Sequence, residues 1–115
     1  MLNNSRSEVK FARANGIDIA YQTFGDEDAS PLILIMGLGS QMVLWDDEFC
    51  RQLAAGGYRV IRFDNRDIGL STKLDWMQVP DSAAVADALQ RGEAPSLPYT
   101  LEDMAKDTVE LIAAL

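Results

Sequence analysis

The sequence predicts an α/β fold: a β-hairpin, then a strand–helix–strand unit and a further helix, built on a mostly parallel central sheet. Three observations carry this expectation. Apolar and polar side chains alternate over residues 8–13 and 17–23, a continuous apolar run at residues 32–36 is matched by a second at 58–63, and an amphipathic segment separates those two runs.

Taken in order, "EVKFAR" and "IDIAYQT" flank Asn15-Gly16, a pair that readily takes the positive φ angles of a two-residue hairpin turn. The acidic residues 25–30, "GDEDAS", read as a solvated loop. Residues 32–36 lack alternation, which predicts a strand covered on both faces, and "YRVIRF" at 58–63 reads the same way. Between them, Trp45, Phe49 and Leu53 recur every fourth residue, with acids in the first turn and Gly56-Gly57 at the end, so a helix joins the two strands as a βαβ unit. A short helix is predicted from about Ser82, with Gly92 as its stop signal. In a last helix, Thr100 caps and Asp103 completes a variant capping box, and Leu101, Met104, Ala105, Thr108, Ile112 and Leu115 fall on one face. That helix ends at "LIAAL" without a glycine cap or basic final turn, which reads as a helix cut rather than ended.

At 115 residues the chain fits a single domain, 1–115, and 48% apolar with 24% charged residues is the balance of an ordinary globular protein. A net charge of −8 argues against nucleic acid as a partner. No apolar run approaches the ~20 residues of a membrane span, and the first ten residues lack a secretory apolar stretch, so no membrane and a cytoplasmic address are expected. Cys50 is the single cysteine and histidine is absent, so this stretch holds no disulfide, no thiolate zinc site and no Ser-His-Asp triad.

Two stretches carry candidate chemistry. In "PLILIMGLGSQ", a dinucleotide site would need a third glycine where Met42 stands, and a phosphate loop would need Gly-Lys-Ser/Thr, which is missing. Two readings remain: an anion hole, in which Gly37 and Gly39 leave the Leu38 amide open to an oxygen gaining charge in acyl transfer, or a plain sharp turn off a strand. In "FDNRDIGLST", polar residues sit where a buried strand ends, the place where open α/β sheets bind ligands. Asp64 and Arg66 are expected to pair and shape this loop, with Gly69 freeing the backbone and Ser71 bonding back to it. The functional alternative makes Asp64 or Asp67 a general base or metal ligand, without a partner histidine or carboxylate cluster in the sequence. Cys50 reads as a small buried hydrophobe, and Trp45 and Trp76 as packing or pocket-lining residues.

Together, "LILIMGLGSQMVLW" and Asp64, Arg66, Gly69 and Ser71 of "FDNRDIGLS" resemble the amino-terminal part of the α/β-hydrolase fold family. Asp67, where many members have glycine, followed by "YTLEDMAKD", resembles the branch of aclacinomycin methylesterase-like ester hydrolases. The likeness runs from about Val9 to Leu115. It implies that the chain corresponds to the first third or so of a hydrolase, with the nucleophile elbow G-x-S-x-G, acid, histidine and lid further on. It also implies that Leu38 N–H forms half of an oxyanion hole, that Gly37 and Gly39 border the substrate, and that Asp64, Arg66, Gly69 and Ser71 are structural. Met36 stands where the family often has histidine before the first glycine.

The resemblance implies a small-molecule ester substrate, a serine acyl-enzyme and no cofactor or metal. Two competing readings are an epoxide hydrolase or dehalogenase of the same fold, with aspartate as nucleophile, and a non-catalytic α/β module that binds a small molecule or protein. An unpaired sheet edge and an unmatched apolar helix face further predict self-association of the 115-residue chain, which by itself would be inactive.

Overall fold

A computed structural model describes residues 5–74, 81–95 and 97–115. Its elements are β1 (Lys10–Ala14), β2 (Ile17–Phe24), β3 (Ser30–Leu34), a 3-10 turn at Met42–Leu44, α1 (Asp47–Ala55), β4 (Tyr58–Phe63), α2 (Ser82–Gln90) and α3 (Leu101–Ala114). The strands form one four-stranded sheet in the order β1-β2-β4-β3. The hairpin turns through Asn15 and Gly16, whose φ angles of 51° and 79° are those of a turn matched to strand twist. The expected parallel pairing is found between β3 and β4, whereas β1–β2 and β2–β4 are antiparallel, so over the described strands the sheet is mixed.

Alternation along β4 divides its side chains between two cores. Val60 packs with Phe24, Cys50 and Ala54 beneath α1, and Phe63 packs with Ala14, Ile19 and Leu111 beneath α3. The sheet is thus the middle of three layers, as a strand covered on both faces requires. β3 falls short of that expectation: it stops at Leu34 and its apolar residues are half-buried, because it is the edge strand.

Arg62 overturns the reading of residues 58–63 as simply apolar, since its side chain is 1% exposed. Across the β2–β4 pairing it faces Gln22, whose Oε1 accepts from Arg62 Nη2 at 2.7 Å, while Nη1 meets Asp47 Oδ1 at 2.9 Å and also donates to the Trp45 carbonyl. Its guanidinium also lies 5.1 Å from the centre of the Phe24 ring. A guanidinium so matched to acceptors can leave water, and here it ties α1 to the sheet.

The helix ends follow the sequence. Asp81 caps α2, and Thr100 and Asp103 form the reciprocal capping box of α3. The Thr100 amide, donating to Asp103, holds that carboxyl below its ordinary range. The buried face of α3 differs from the one expected. Asp107 and Leu111 are buried and Met104, Thr108 and Leu115 half-buried, while Leu101, Ala105 and Ile112 stay exposed. The helix is turned toward the hairpin because Asp107 is held there by polar partners described below. No described helix is long and apolar enough to cross a membrane.

Candidate functional site

Because β3 and β4 run parallel as neighbours, the loops leaving their carboxyl ends lie side by side. Such paired strand ends are where open α/β sheets hold ligands.

In the first loop, the Ser40 N–H donates to the Gly37 carbonyl at 3.3 Å, closing a four-residue turn. Gly39 is its third residue with φ +75°, a position that demands the left-handed conformation glycine adopts without strain. Gly37 has no such φ, and a Cβ there would touch nothing within 4 Å. A planar trans peptide points its carbonyl and N–H in opposite directions. With the Gly37 carbonyl turned inward to Ser40, the Leu38 N–H points away from the turn. Among the described residues it meets no acceptor, and the Leu38 side chain is 86% exposed.

The second loop is organised by Asp64, 2% exposed. Its Oδ1 accepts from the Met42 N–H at 2.7 Å and its Oδ2 from the Leu70 N–H at 2.9 Å. Ser71 bonds back as expected: its hydroxyl donates to the Asp64 carbonyl at 2.6 Å and accepts from the Ala20 N–H at 2.9 Å. Gly69, at φ +54°, lies so close that a Cβ would sit 2.3 Å from Asp64 Oδ2. Asp64 therefore braces backbone from two loops, and its oxygens are already engaged by amides. Asp67 is likewise engaged, accepting from the Leu74 N–H at 2.8 Å. Among the described residues no group of three or more acidic, cysteine or histidine side chains converges on a metal position.

The expected Asp64–Arg66 pair does not form. Arg66 instead makes a two-pronged contact with Asp107 on α3, Nε to Oδ2 and Nη2 to Oδ1, both at 2.7 Å. Asn15 Nδ2 donates to the same Oδ1 at 2.8 Å, and Tyr99 offers its ring face 5.3 Å from the guanidinium. Hydrogen bonding to Asp107 pushes the Arg66 pKa up from its already high ordinary value. Asp64 is committed to the Met42 and Leu70 amides, while Asp107 presents both oxygens to the Arg66 fork. Asp107 is an acid within the helical segment, but at 41 positions from Arg66 it gives no local signal of the pairing.

Between the first loop and α3 lies a groove of about 470 Å³, walled by Ile35, Met36, Leu38, Asn65, Met104 and Val109. A second groove, of about 550 Å³, shares Leu38, Leu101 and Met104 and extends to Tyr99. Trp45 lines neither; it stacks on Phe49 at 5.9 Å. Trp76 lies outside the described residues. Cys50 on α1 is buried in the core with Phe24, Ala54 and Val60, the small hydrophobe expected, and burial pushes its thiol pKa up.

No family model matches the chain. Over 74 residues it is 42% identical to rhodomycin D methylesterase DauP of Streptomyces sp. (strain C5), an alignment covering 57% of this chain and 25% of that protein. Over the same length it is 39% identical to rhodomycin D methylesterase DnrP of Streptomyces peucetius, with the same coverage of each. Among solved structures, a hydrolase from Pseudomonas aeruginosa PA01 superposes on 94% of this chain and 32% of its own, with a TM-score of 0.66 and 25% identity. The chain is an amino-terminal portion of the α/β-hydrolase fold. The chain spans about a quarter of the length of the curated relatives it matches.

Within the α/β-hydrolase portion, Leu38, Gly37 and Gly39 come together on one exposed turn, and Asp64, Gly69 and Ser71 on one buried brace. Arg66 stands apart from that brace, joined to α3. Sequence reasoning missed Asn65, whose Nδ2 donates to the Met36 carbonyl at 3.1 Å, and a lone asparagine beside charged residues gives no periodic signal to find it by.

Proposed function

We propose that this chain supplies the oxyanion-loop side of a serine hydrolase acting on carboxylic esters, of methylesterase type. The observation that carries the reading is the outward Leu38 N–H, which meets no acceptor among the described residues, at the mouth of an apolar groove. A serine oxygen adds to the ester carbonyl carbon as its proton passes to the general base, the π pair moves to the carbonyl oxygen, and the Leu38 N–H donates to the resulting oxyanion. Collapse of the tetrahedral adduct expels the alcohol, methanol for a methyl ester, as the base returns that proton to the leaving oxygen, and water, giving its proton to the same base, then releases the acid from the acyl-enzyme and restores the serine. One such donor is worth roughly 10²–10³ in turnover. Gly37 and Gly39 keep side chains away from the reacting carbonyl, and the groove takes the apolar part of the small-molecule ester. These 115 residues contain no histidine, so on this reading the general base lies outside them, and the resemblance to α/β-hydrolases puts the nucleophile elbow outside them as well. Acyl transfer of this kind calls for no cofactor.

The test is to express the reading frame that encodes residues 1–115 through to its stop codon and assay methanol release from aromatic methyl esters. A G-x-S-x-G elbow within roughly 20 residues of Leu115, with activity lost on Ser→Ala there, supports the reading. A frame that closes at Leu115 overturns it in favour of a non-catalytic binding module, and aspartate in place of the elbow serine overturns it in favour of epoxide or haloalkane chemistry. The 115-residue chain alone is expected to leave a chromogenic acetate ester intact.

A further inference from the structure

Asn65 is 5% exposed and borders the groove at Leu38, yet the proposed reaction assigns it nothing. Its amide orientation follows from chemistry: the Met36 carbonyl only accepts, so the nitrogen faces it, at 3.1 Å. The preceding residue holds the other end of the same loop, where Asp64 Oδ1 accepts from the Met42 N–H at 2.7 Å. Two consecutive residues at the end of β4 therefore grip the chain immediately before and immediately after residues 37–41. Met36 needs such a hold because β3 ends at Leu34, beyond which the ladder to β4 no longer orients its carbonyl. The next residue, Gly37, has no side chain to restrict rotation.

We infer that Asn65 is a positioning residue for the oxyanion loop: by anchoring the Met36 carbonyl it sets the plane from which the Gly37–Leu38 peptide departs, and so the direction of the Leu38 N–H. The catalytic meaning of this inference rests on the proposed function; the structural part does not.

The experiment measures ¹⁵N order parameters in the polypeptide expressed from the whole reading frame for wild type, Asn65→Asp and Asn65→Leu, with Arg13→Met, which breaks an exposed pair on the hairpin, as a control away from the loop. Asn65→Asp keeps the shape but removes the donor. The expected result is a fall for Gly37, Leu38 and Gly39 from about 0.85 toward 0.6 or below in both Asn65 variants, with β4 unchanged and Arg13→Met without effect on the loop. A loop as rigid in the Asn65 variants as in wild type overturns the inference, as does equal loosening in Arg13→Met. In the longer reading frame, Asn65→Asp is expected to lower kcat at least tenfold with KM little changed, and an unchanged kcat overturns the catalytic part. Absence of any esterase activity in that frame defeats the proposed function while leaving the order-parameter result standing.

Discussion

At Gly69 the backbone sits at φ +54° and a Cβ would fall 2.3 Å from a carboxylate oxygen of Asp64, so two independent constraints exclude a side chain. Gly69→Ala is expected to cost about 2–4 kcal/mol, combining left-handed strain with displacement of a buried acceptor. Gly37→Ala, with no crowding and no left-handed φ, should fall within about 0.5 kcal/mol of wild type. Urea unfolding of both variants checks the contrast, and equal losses would refute the assignment of Gly69 to the brace. Arg62 illustrates a different lesson of the same scale. A hydropathy reading places arginine outside, but Gln22 and Asp47 supply acceptors from β2 and α1 only once the three elements are assembled.

At the scale of elements, α3 shows how a polar contact can override an apolar pattern. Its cap at Thr100 and Asp103 is where the sequence places it, because capping is decided by residues three apart. Its rotation is decided by Asp107, 41 positions from Arg66 and 92 from Asn15. Removing one partner of a buried ion pair leaves an uncompensated charge, so Arg66→Met is expected to destabilise by about 3–5 kcal/mol. Arg13→Met, which breaks the exposed pair with Asp18, should cost at most about 1 kcal/mol. Denaturant midpoints with matched slopes compare the two, and a similar small loss from both would mean that the Arg66–Asp107 contact does not orient the helix.

At the scale of the whole molecule, β3 is an edge strand of sequence "SPLIL" with no charged residue, and Pro31 is its one guard against pairing. Beside it the exposed side chains of Ile35, Leu101, Val109 and Ile112 continue the apolar surface. That combination predicts self-association of the 115-residue chain despite its −8 charge. Light scattering across a dilution series should show mass falling toward 12.7 kDa only at low concentration. A monomer at every concentration, with a cooperative melt, would refute the prediction. The same open edge explains why β3 is less covered than its unbroken apolar run suggests: a strand is buried on both faces only where neighbours flank it.

The sequence by itself determined whatever depends on near neighbours along the chain. Asn15-Gly16 sets the hairpin turn, Gly39 the turn after β3, Thr100 and Asp103 the start of α3, and the apolar runs the two parallel strands. Propensity, capping and turn geometry act over two to four residues and are therefore readable there. The paired loops of the candidate site were also legible, since strand ends bring them together whatever the side-chain details. Only the tertiary structure decided which acceptor each buried polar group meets: Arg66 with Asp107 instead of Asp64, Arg62 with Gln22 and Asp47, Asn65 on the Met36 carbonyl. Those choices depend on which lone pairs remain unoccupied after the elements have packed, and a linear pattern does not contain that information.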